Sequence, residues 1–442
     1  MQRYLRLRSL YIRLTMDIQR VRDPIHGFIH FTDKEQKIVD SPFFQRLRCI
    51  KQLALTCLVY PGAMHTRLEH SLGVMEMATR AFDSLVKRNK EELRKNFRRL
   101  GLGIDNARQL LRVTALVHDT GHLPFSHAAE GILPKGKSHE DVSVEIVERN
   151  HKLFANLFYR DIVEHIKLLI NKNVVVPLEL QILKKLVSSQ LDVDRADYLL
   201  RDSHHCGVEY GNFDYLRLFE TLRVVPGAQG GLELAIDRGG VHSLEALLLA
   251  RYYMYAQVYF HKVRRIYDIY LKKYMAYWAG SKFSKNLLNV THYTDEDVHA
   301  SLSSNSRARN GEIRELACRI LNRKHHRVIF ETGDFAEPPD KRDIGTLRDE
   351  LSVRFEGAEF ILDTEAKGTI HKFYASGDEE LGEEFKVISR YFQRSISKES
   401  SVIARLPKTF AVYRIYCEGS DAKLKTYRNF ARTRWQELSQ GR

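Results

Sequence analysis

Cysteine is sparse in this chain: five among 442 residues (Cys49, Cys57, Cys206, Cys318, Cys417), scattered, odd in number and without a CxxC pair. That usage excludes a disulfide-stapled secreted domain and a thiolate zinc site, and it fits a reducing compartment, so a cytoplasmic location is expected. Ten prolines and 25 glycines leave no room for a low-complexity or collagen-like segment. No apolar run approaches the roughly 18 residues of a membrane span, so no membrane partner is expected. No internal repeat is visible. With 43% hydrophobic and 29% charged residues the chain is not disordered. A chain this long folds as roughly two or three domains. It can bury about 70–75% of its unfolded surface without a metal or disulfide to hold it.

Lysine and arginine number 70 against 56 acids, a formal charge of +14, which favours anionic partners such as nucleotides or nucleic acid. Part of the excess is local. Met1–Met16 carries Arg3, Arg6, Arg8 and Arg13 and no acid, as an organelle transit peptide does or as a segment upstream of a true start at Met16 does. Residues 1–20 are therefore set apart as a basic tail. A second basic stretch, Lys87–Arg99, is either the solvated end of a helix or a contact for single-stranded nucleic acid.

Apolar residues recur at helical spacing through Phe43, Phe44, Leu47, Ile50 and Leu53, and again through Leu68, Leu72, Met75, Ala78, Phe82 and Leu85. The two predicted helices are parted by the turn Tyr60-Pro61-Gly62. Helices are also predicted over Ala107–His118, Val142–Val147, Ile162–Ile170, Leu178–Val187 and from Leu244 to about Tyr277. Leu222–Asp237 alternates about a Gly-rich turn, as a β-hairpin does. Beyond Ser281 the polar stretch Asn305–Asn310 and short apolar runs at Val328–Phe330, Phe360–Leu362 and Phe410–Tyr416 read as strands between helices. The expected fold is mainly α, with a helical body over 21–280, a small hairpin, and a smaller α+β part over 281–442 that serves oligomerisation or regulation.

Histidines and acids concentrate between residues 65 and 205. His118-Asp119 closes an apolar helix and is followed by Gly121-His122 and Ser126-His127, and His139 opens the next helix. An apolar helix carries such a pair inward, where unpaired ionic groups are costly. A divalent cation removes that cost, and imidazole with carboxylate suits zinc, iron or manganese. His70 and Asp194, on two other helices, complete a four-ligand set. His122, His127 and His139 lie close in sequence to it and can transfer protons near neutral pH. A buried polar network is the competing reading.

These residues bring the chain to a known family. The spaced His70, His118-Asp119 and Asp194 resemble the HD phosphohydrolases, and in particular the dNTP triphosphohydrolases of the sterile-alpha-motif/HD type and their bacterial relatives. The strings Asp23-Pro24-Ile25-His26-Gly27, Phe44-Gln45-Arg46-Leu47-Arg48, Arg67-Leu68-Glu69-His70-Ser71-Leu72-Gly73-Val74, Pro124-Phe125-Ser126-His127 and Asp192-Val193-Asp194-Arg195-Ala196-Asp197-Tyr198 run in the same order. The sterile-alpha-motif domain itself is not found.

The resemblance implies an HD helical bundle holding Mn, Fe, Zn or Mg and splitting a dNTP into deoxynucleoside and triphosphate. Water activated at the cation attacks the α-phosphorus, and His127 protonates the departing oxygen. Glu130 orients His127, where relatives carry a shorter aspartate. Phosphate contacts fall to Arg67, Arg195 (lysine in relatives) and Arg251. Tyr198 and Tyr259 pack on the sugar, Gln52 and Asp202 bond its 3′-hydroxyl, and Leu53 lies beside the base. Phe260 and Ala54-Leu55-Thr56 depart from the family pattern, which bears on base preference. An activating nucleotide, GTP or a dNTP, is implied between subunits at Asp23, Gln45, Arg48, Val59, Tyr60, His261 and Lys262, and with it a homo-oligomer, a tetramer. Two other readings fit the same residues: an HD scaffold turned to nucleic-acid binding, and a hydrolase of another nucleotide phosphoester.

Overall fold

The structure, a computed structural model, describes residues 19–172, 174–227, 230–280, 287–309, 311–373 and 385–440; residues 1–18 of the basic tail, on which both of its readings rest, lie outside them, while Gln19 and Arg20 belong to the first strand. The helical body is centred on Arg67–Arg98, whose predicted apolar stripe (Leu68, Leu72, Met75, Ala78, Phe82, Leu85) is buried throughout. Ile104–Val117 packs along it. Lys87–Arg99 turns out to be that long helix's last stretch. Leu93, Asn96 and Phe97 point inward there while the basic side chains stay in solvent.

Val193–Cys206 crosses the Arg67 helix with its start fixed by Asp192, whose side chain accepts from the Arg195 N–H at 2.8 Å. Gly207 ends it at φ 69°, a left-handed turn that glycine takes without strain. His139–Arg149 begins with a Ser138–Asp141 capping box.

The first predicted helix is shorter than its periodicity implies. After Pro42–Gln45 and a 3₁₀ turn to Cys49, Ile50 becomes extended. The next N–H groups then bond elsewhere, Lys51 to Asp295 Oδ2 (3.0 Å) and Gln52 to the His65 carbonyl (3.0 Å), so tertiary partners outbid the helix. The long helix predicted from Leu244 is two helices, Val241–Met254 and Lys262–Ala279, joined by a π-helical turn over Tyr255–Tyr259. His261 interrupts it by taking the N-cap position of the second.

The predicted hairpin forms, Leu222–Pro226 against Leu232–Asp237. Lys386–Ile388 adds to it in parallel, so the carboxy-terminal part completes a sheet begun by the body. A three-stranded sheet orders Arg327–Glu331, Arg414–Cys417 and Phe360–Asp363, with Pro338–Arg354 and Asp421–Gln440 sharing its core. The run Phe410–Tyr416, expected as one strand, is split. Thr409–Ala411 pairs with Lys367–Thr369, and the chain then changes partners at Val412, whose N–H goes to Ala366. An amino-terminal hairpin, Gln19–Asp23 with Gly27–Phe31, was not foreseen, since the sequence reading gave Gln19 and Arg20 to the basic tail and each strand is only five residues long. No helix among the described residues is long and apolar enough to cross a membrane.

Candidate metal centre and adjoining cleft

Three helix segments bring the predicted ligands together. His70 is in the first turn of the Arg67 helix, His118 and Asp119 end the Ile104 helix, and Asp194 is in the first turn of the Val193 helix. His70 Nε2 lies 3.0 Å from Asp194 Oδ1 and 3.6 Å from Asp119 Oδ2. His118 Nε2 lies 3.3 Å from Asp119 Oδ1 and 3.8 Å from Asp194 Oδ1. Both Nε2 atoms are buried and make no hydrogen bond among the described residues, although carboxylate oxygens surround them. His70, His118 and Asp119 offer ligand atoms that all lie within 4.8 Å of one another, and Asp194 stands beside both histidines, so the donor set fits a divalent ion. Asp194, 36% exposed, is the most open of the four, so one side of the cluster faces water.

The electrostatics agree. Burial alone pulls His70 down, but Asp194 and Asp197 on either side of the ring outweigh it and raise the imidazole to about 10, so with no cation in place the ring favours its charged form. Burial likewise pushes Asp119 up, yet Arg67 foremost, with His118 and His122, holds it well below the carboxylate range. The centre is built to hold positive charge between fixed carboxylates.

A second layer orients the first. His70 Nδ1 donates to Asp197 Oδ2 at 2.8 Å, which leaves Nε2 for the ion. Asp197 also accepts from Arg201 at 2.8 and 2.9 Å and contacts His26 Nε2 at 2.6 Å. Arg201, fully buried, donates a further bond to Asp23 Oδ2 at 2.7 Å. These side chains lie directly on Gly73, where a Cβ would meet Asp197 Oδ1 at 2.0 Å and Arg201 Nη2 at 2.2 Å. His26, His65, Asp197 and Arg201 were given no role from the sequence. The one usable signal was the i, i+3 and i, i+4 spacing of Asp194, Asp197 and Arg201.

Asp23 is thereby corrected. The sequence reading gave it a guanine edge to bind, but it is buried and both its oxygens are occupied, Oδ1 by the N–H groups of Ile25 and His26 (2.9 and 2.8 Å) and Oδ2 by Arg201. It buttresses the metal centre instead. Of the other residues expected around an activator, Tyr60 and His261 meet edge to face at 6.1 Å, and Arg48 donates to Gln45 Oε1 at 2.7 Å. Val59 and Lys262 are partly or fully exposed nearby in sequence.

A cleft of about 420 Å³ adjoins the centre, lined by Gln52, Leu53, Arg67, Tyr198, Asp202 and Tyr259 among others. Arg67 belongs to both: it reaches the cleft, bonds Ser126 Oγ through Nε (2.8 Å), and pairs with Asp119 through Nη1. Asp202 is gripped by His65 Nε2 at 2.8 Å and by the Tyr259 hydroxyl at 2.6 Å. His122 stacks on His139 at 3.8 Å, its Nε2 3.4 Å from Asp119 Oδ1. Burial, with Arg67 and His139 beside it, keeps His122 neutral well below its ordinary value. The side chains of His127 and Glu130 lie outside the described residues.

Two predicted phosphate contacts do not line the cleft. Arg251 is buried and donates to the Ile370 carbonyl (3.0 Å) and the Tyr255 hydroxyl (3.1 Å), tying body to carboxy-terminal part. Arg195 donates to the Ser189 carbonyl. The carboxy-terminal part meanwhile supplies Glu365 to the cleft, paired with Lys272 at 2.8 Å. It also supplies Asp295, which accepts the N–H groups of Lys51 (3.0 Å) and Phe125 (2.7 Å) and so holds the Phe125-Ser126 turn, where φ is +59° and +56°.

Residues 67–202 match the HD domain family and residues 213–341 the HD associated region. An uncharacterized protein of Methanocaldococcus jannaschii is 40% identical over 253 residues, 57% of this chain, which spans about half (48%) of that relative's length. The deoxynucleoside triphosphate triphosphohydrolase SAMHD1 of Gallus gallus is 30% identical over 473 residues, 93% of this chain and 74% of its own. The crystal structure of a phosphohydrolase from Bacteroides thetaiotaomicron superposes with a TM-score of 0.69 at 26% identity, over 91% of this chain and all of that one.

Proposed function

Since the chain belongs to the HD-domain phosphohydrolases, we propose that its substrate is a deoxynucleoside triphosphate, split by water into deoxynucleoside and inorganic triphosphate. The observation that carries this reading is the sharing of Arg67 between the four-residue centre and a cleft whose wall holds Gln52, Tyr198, Asp202 and Tyr259. A phosphate end and a sugar end lie one side chain apart.

In this reading His70, His118, Asp119 and Asp194 hold a divalent cation, which supplies an acidified water and neutralises phosphate charge. The chain's own residues do the rest. Arg67, pinned by Ser126 and Asp119, presents its guanidinium to phosphate oxygens without paying to be ordered. Asp202, held from two sides, accepts the sugar's 3′-hydroxyl, and the Tyr198 and Tyr259 rings, 6.2 Å apart, close on the 2′ carbon. Neutral His122 donates an N–H to the phosphate, His127 gives a proton to the leaving 5′-oxygen, and Glu130 aligns it. An activating nucleotide between copies of the chain belongs to the same reading, with Gln45, Arg48, Val59, Tyr60, His261 and Lys262 around it and a tetramer as the assembly.

The test is a product assay. Each dNTP, alone and in mixture, is incubated with the protein and Mn²⁺, Mg²⁺ or a chelator. Inorganic triphosphate released with metal and lost with chelator is the expected result, and turnover confined to mixtures marks an activator. Orthophosphate or pyrophosphate as sole product overturns the proposal.

A further inference from the structure

The cleft has a second polar wall that neither metal nor sugar uses. The Lys262–Ala279 helix turns Arg264, Asp268 and Lys272 into the cleft at successive four-residue steps, with Arg265 and Ile269 beside them. Arg265 is committed, donating at 2.9 and 2.8 Å to both oxygens of Asp363. Lys272 is committed to Glu365. Arg264 and Asp268 are committed only in part. Arg264 spends Nη1 on the Tyr259 carbonyl, while its Nε is buried without a hydrogen bond among the described residues. Asp268 Oδ1 is likewise buried and unbonded, while Oδ2 accepts a long bond from Arg265 Nη1 at 3.5 Å and stands 3.9 Å from Arg264 Nε. Buried donors and acceptors left open in a cleft wall are costly unless a ligand closes them.

Their place says which part of a ligand. Arg264 holds the carbonyl of Tyr259, the residue whose hydroxyl holds Asp202, so this wall begins where the sugar site ends. Leu53, Ala54 and Phe260 line the same cleft with apolar surface suited to a base. We propose that Arg264 and Asp268 together read the Watson–Crick edge of the substrate's base and select guanine. This deepens the dNTP reading and rests on it.

The chemistry follows from the order of groups. Guanine offers an acceptor (O6) beside two donors (N1–H and N2–H), which matches a guanidinium beside a carboxylate at every position. Thymine satisfies Arg264 and one carboxylate oxygen, then sets its O2 against the other. Adenine and cytosine bring a ring acceptor up to the carboxylate and leave Arg264 facing an amino group. A site built to bond particular groups rejects an analogue that leaves them unpaired, so the preference for guanine should be about tenfold or more.

The experiment measures kcat/KM for dGTP, dATP, dTTP and dCTP by triphosphate release, together with equilibrium binding of the same four nucleotides under chelation, which stops turnover. It uses the full chain and two variants, Asp268→Asn and Arg264→Gln, so that one serves if the other does not fold. dGTP leads in both readouts for the unmodified chain. Each variant brings the dGTP to dATP ratio down to about twofold or less, in kcat/KM and in binding alike. Equal use of the four bases, or a guanine preference that survives both variants, overturns the proposal. Tighter dGTP binding that both variants abolish, without triphosphate release, keeps the base reader and sinks the hydrolysis reading.

Discussion

Replacing Arg201 by methionine is expected to destabilise the chain by about 3–5 kcal/mol, because it strands two carboxylates that are sealed from water. Arg201 has no exposed surface and donates to Asp197 twice (2.8 and 2.9 Å) and to Asp23 once (2.7 Å). Methionine matches its apolar stem but bonds neither acid. The pH dependence gives a second signature. Burial raises Asp197, but Arg201 above all, with His26 and His70, holds it well below the carboxylate range. The folded chain therefore binds fewer protons there than the unfolded one, so this stabilisation is full at neutral pH and lost as the pH falls through the folded value. In Arg201→Met that part of the acid sensitivity disappears. Denaturant midpoints across the acid range read both effects. A loss under 1 kcal/mol, or an unchanged acid profile, contradicts the network.

The second large effect is on metal affinity. Asp197→Asn should weaken divalent binding by roughly 10–100-fold, the usual cost of losing a partner that orients a ligating histidine. Asparagine can still accept from His70 Nδ1 but carries no charge to strengthen the imidazole, and its amide nitrogen opposes an Arg201 N–H. Competition against a chromogenic chelator measures the affinity directly. An unchanged constant would show that His70 needs no such support.

How far the sequence could be read depended on how local the interactions are. His118-Asp119 at a helix end, with His70 and Asp194 on two other helices, was legible because helix ends and histidine spacing are written within a few residues. The same is true of the Leu222–Asp237 hairpin and the Arg67 helix. The orienting layer was not, since its bonds join residues 127, 171 and 178 positions apart. Asp23 looks like a turn opener free to bind a base until Arg201 is brought to it. The Ser41–Leu53 periodicity is sound, yet the helix stops at Cys49 because Asp295 and His65 capture the next amides. Arg264 and Asp268 became visible only when their unbonded atoms were found in a shared wall.

The central claim is that His70, His118, Asp119 and Asp194 hold one divalent ion. Its most direct test is elemental analysis of the purified chain beside Asp194→Ala, both exposed to Mn²⁺, Fe²⁺ or Zn²⁺ and then desalted. The account predicts a single ion per unmodified chain and its loss in the variant, whose unfolding midpoint is measured alongside to show that it is folded. An unmodified chain that retains no ion, or a folded variant that keeps its ion with undiminished affinity, would contradict it.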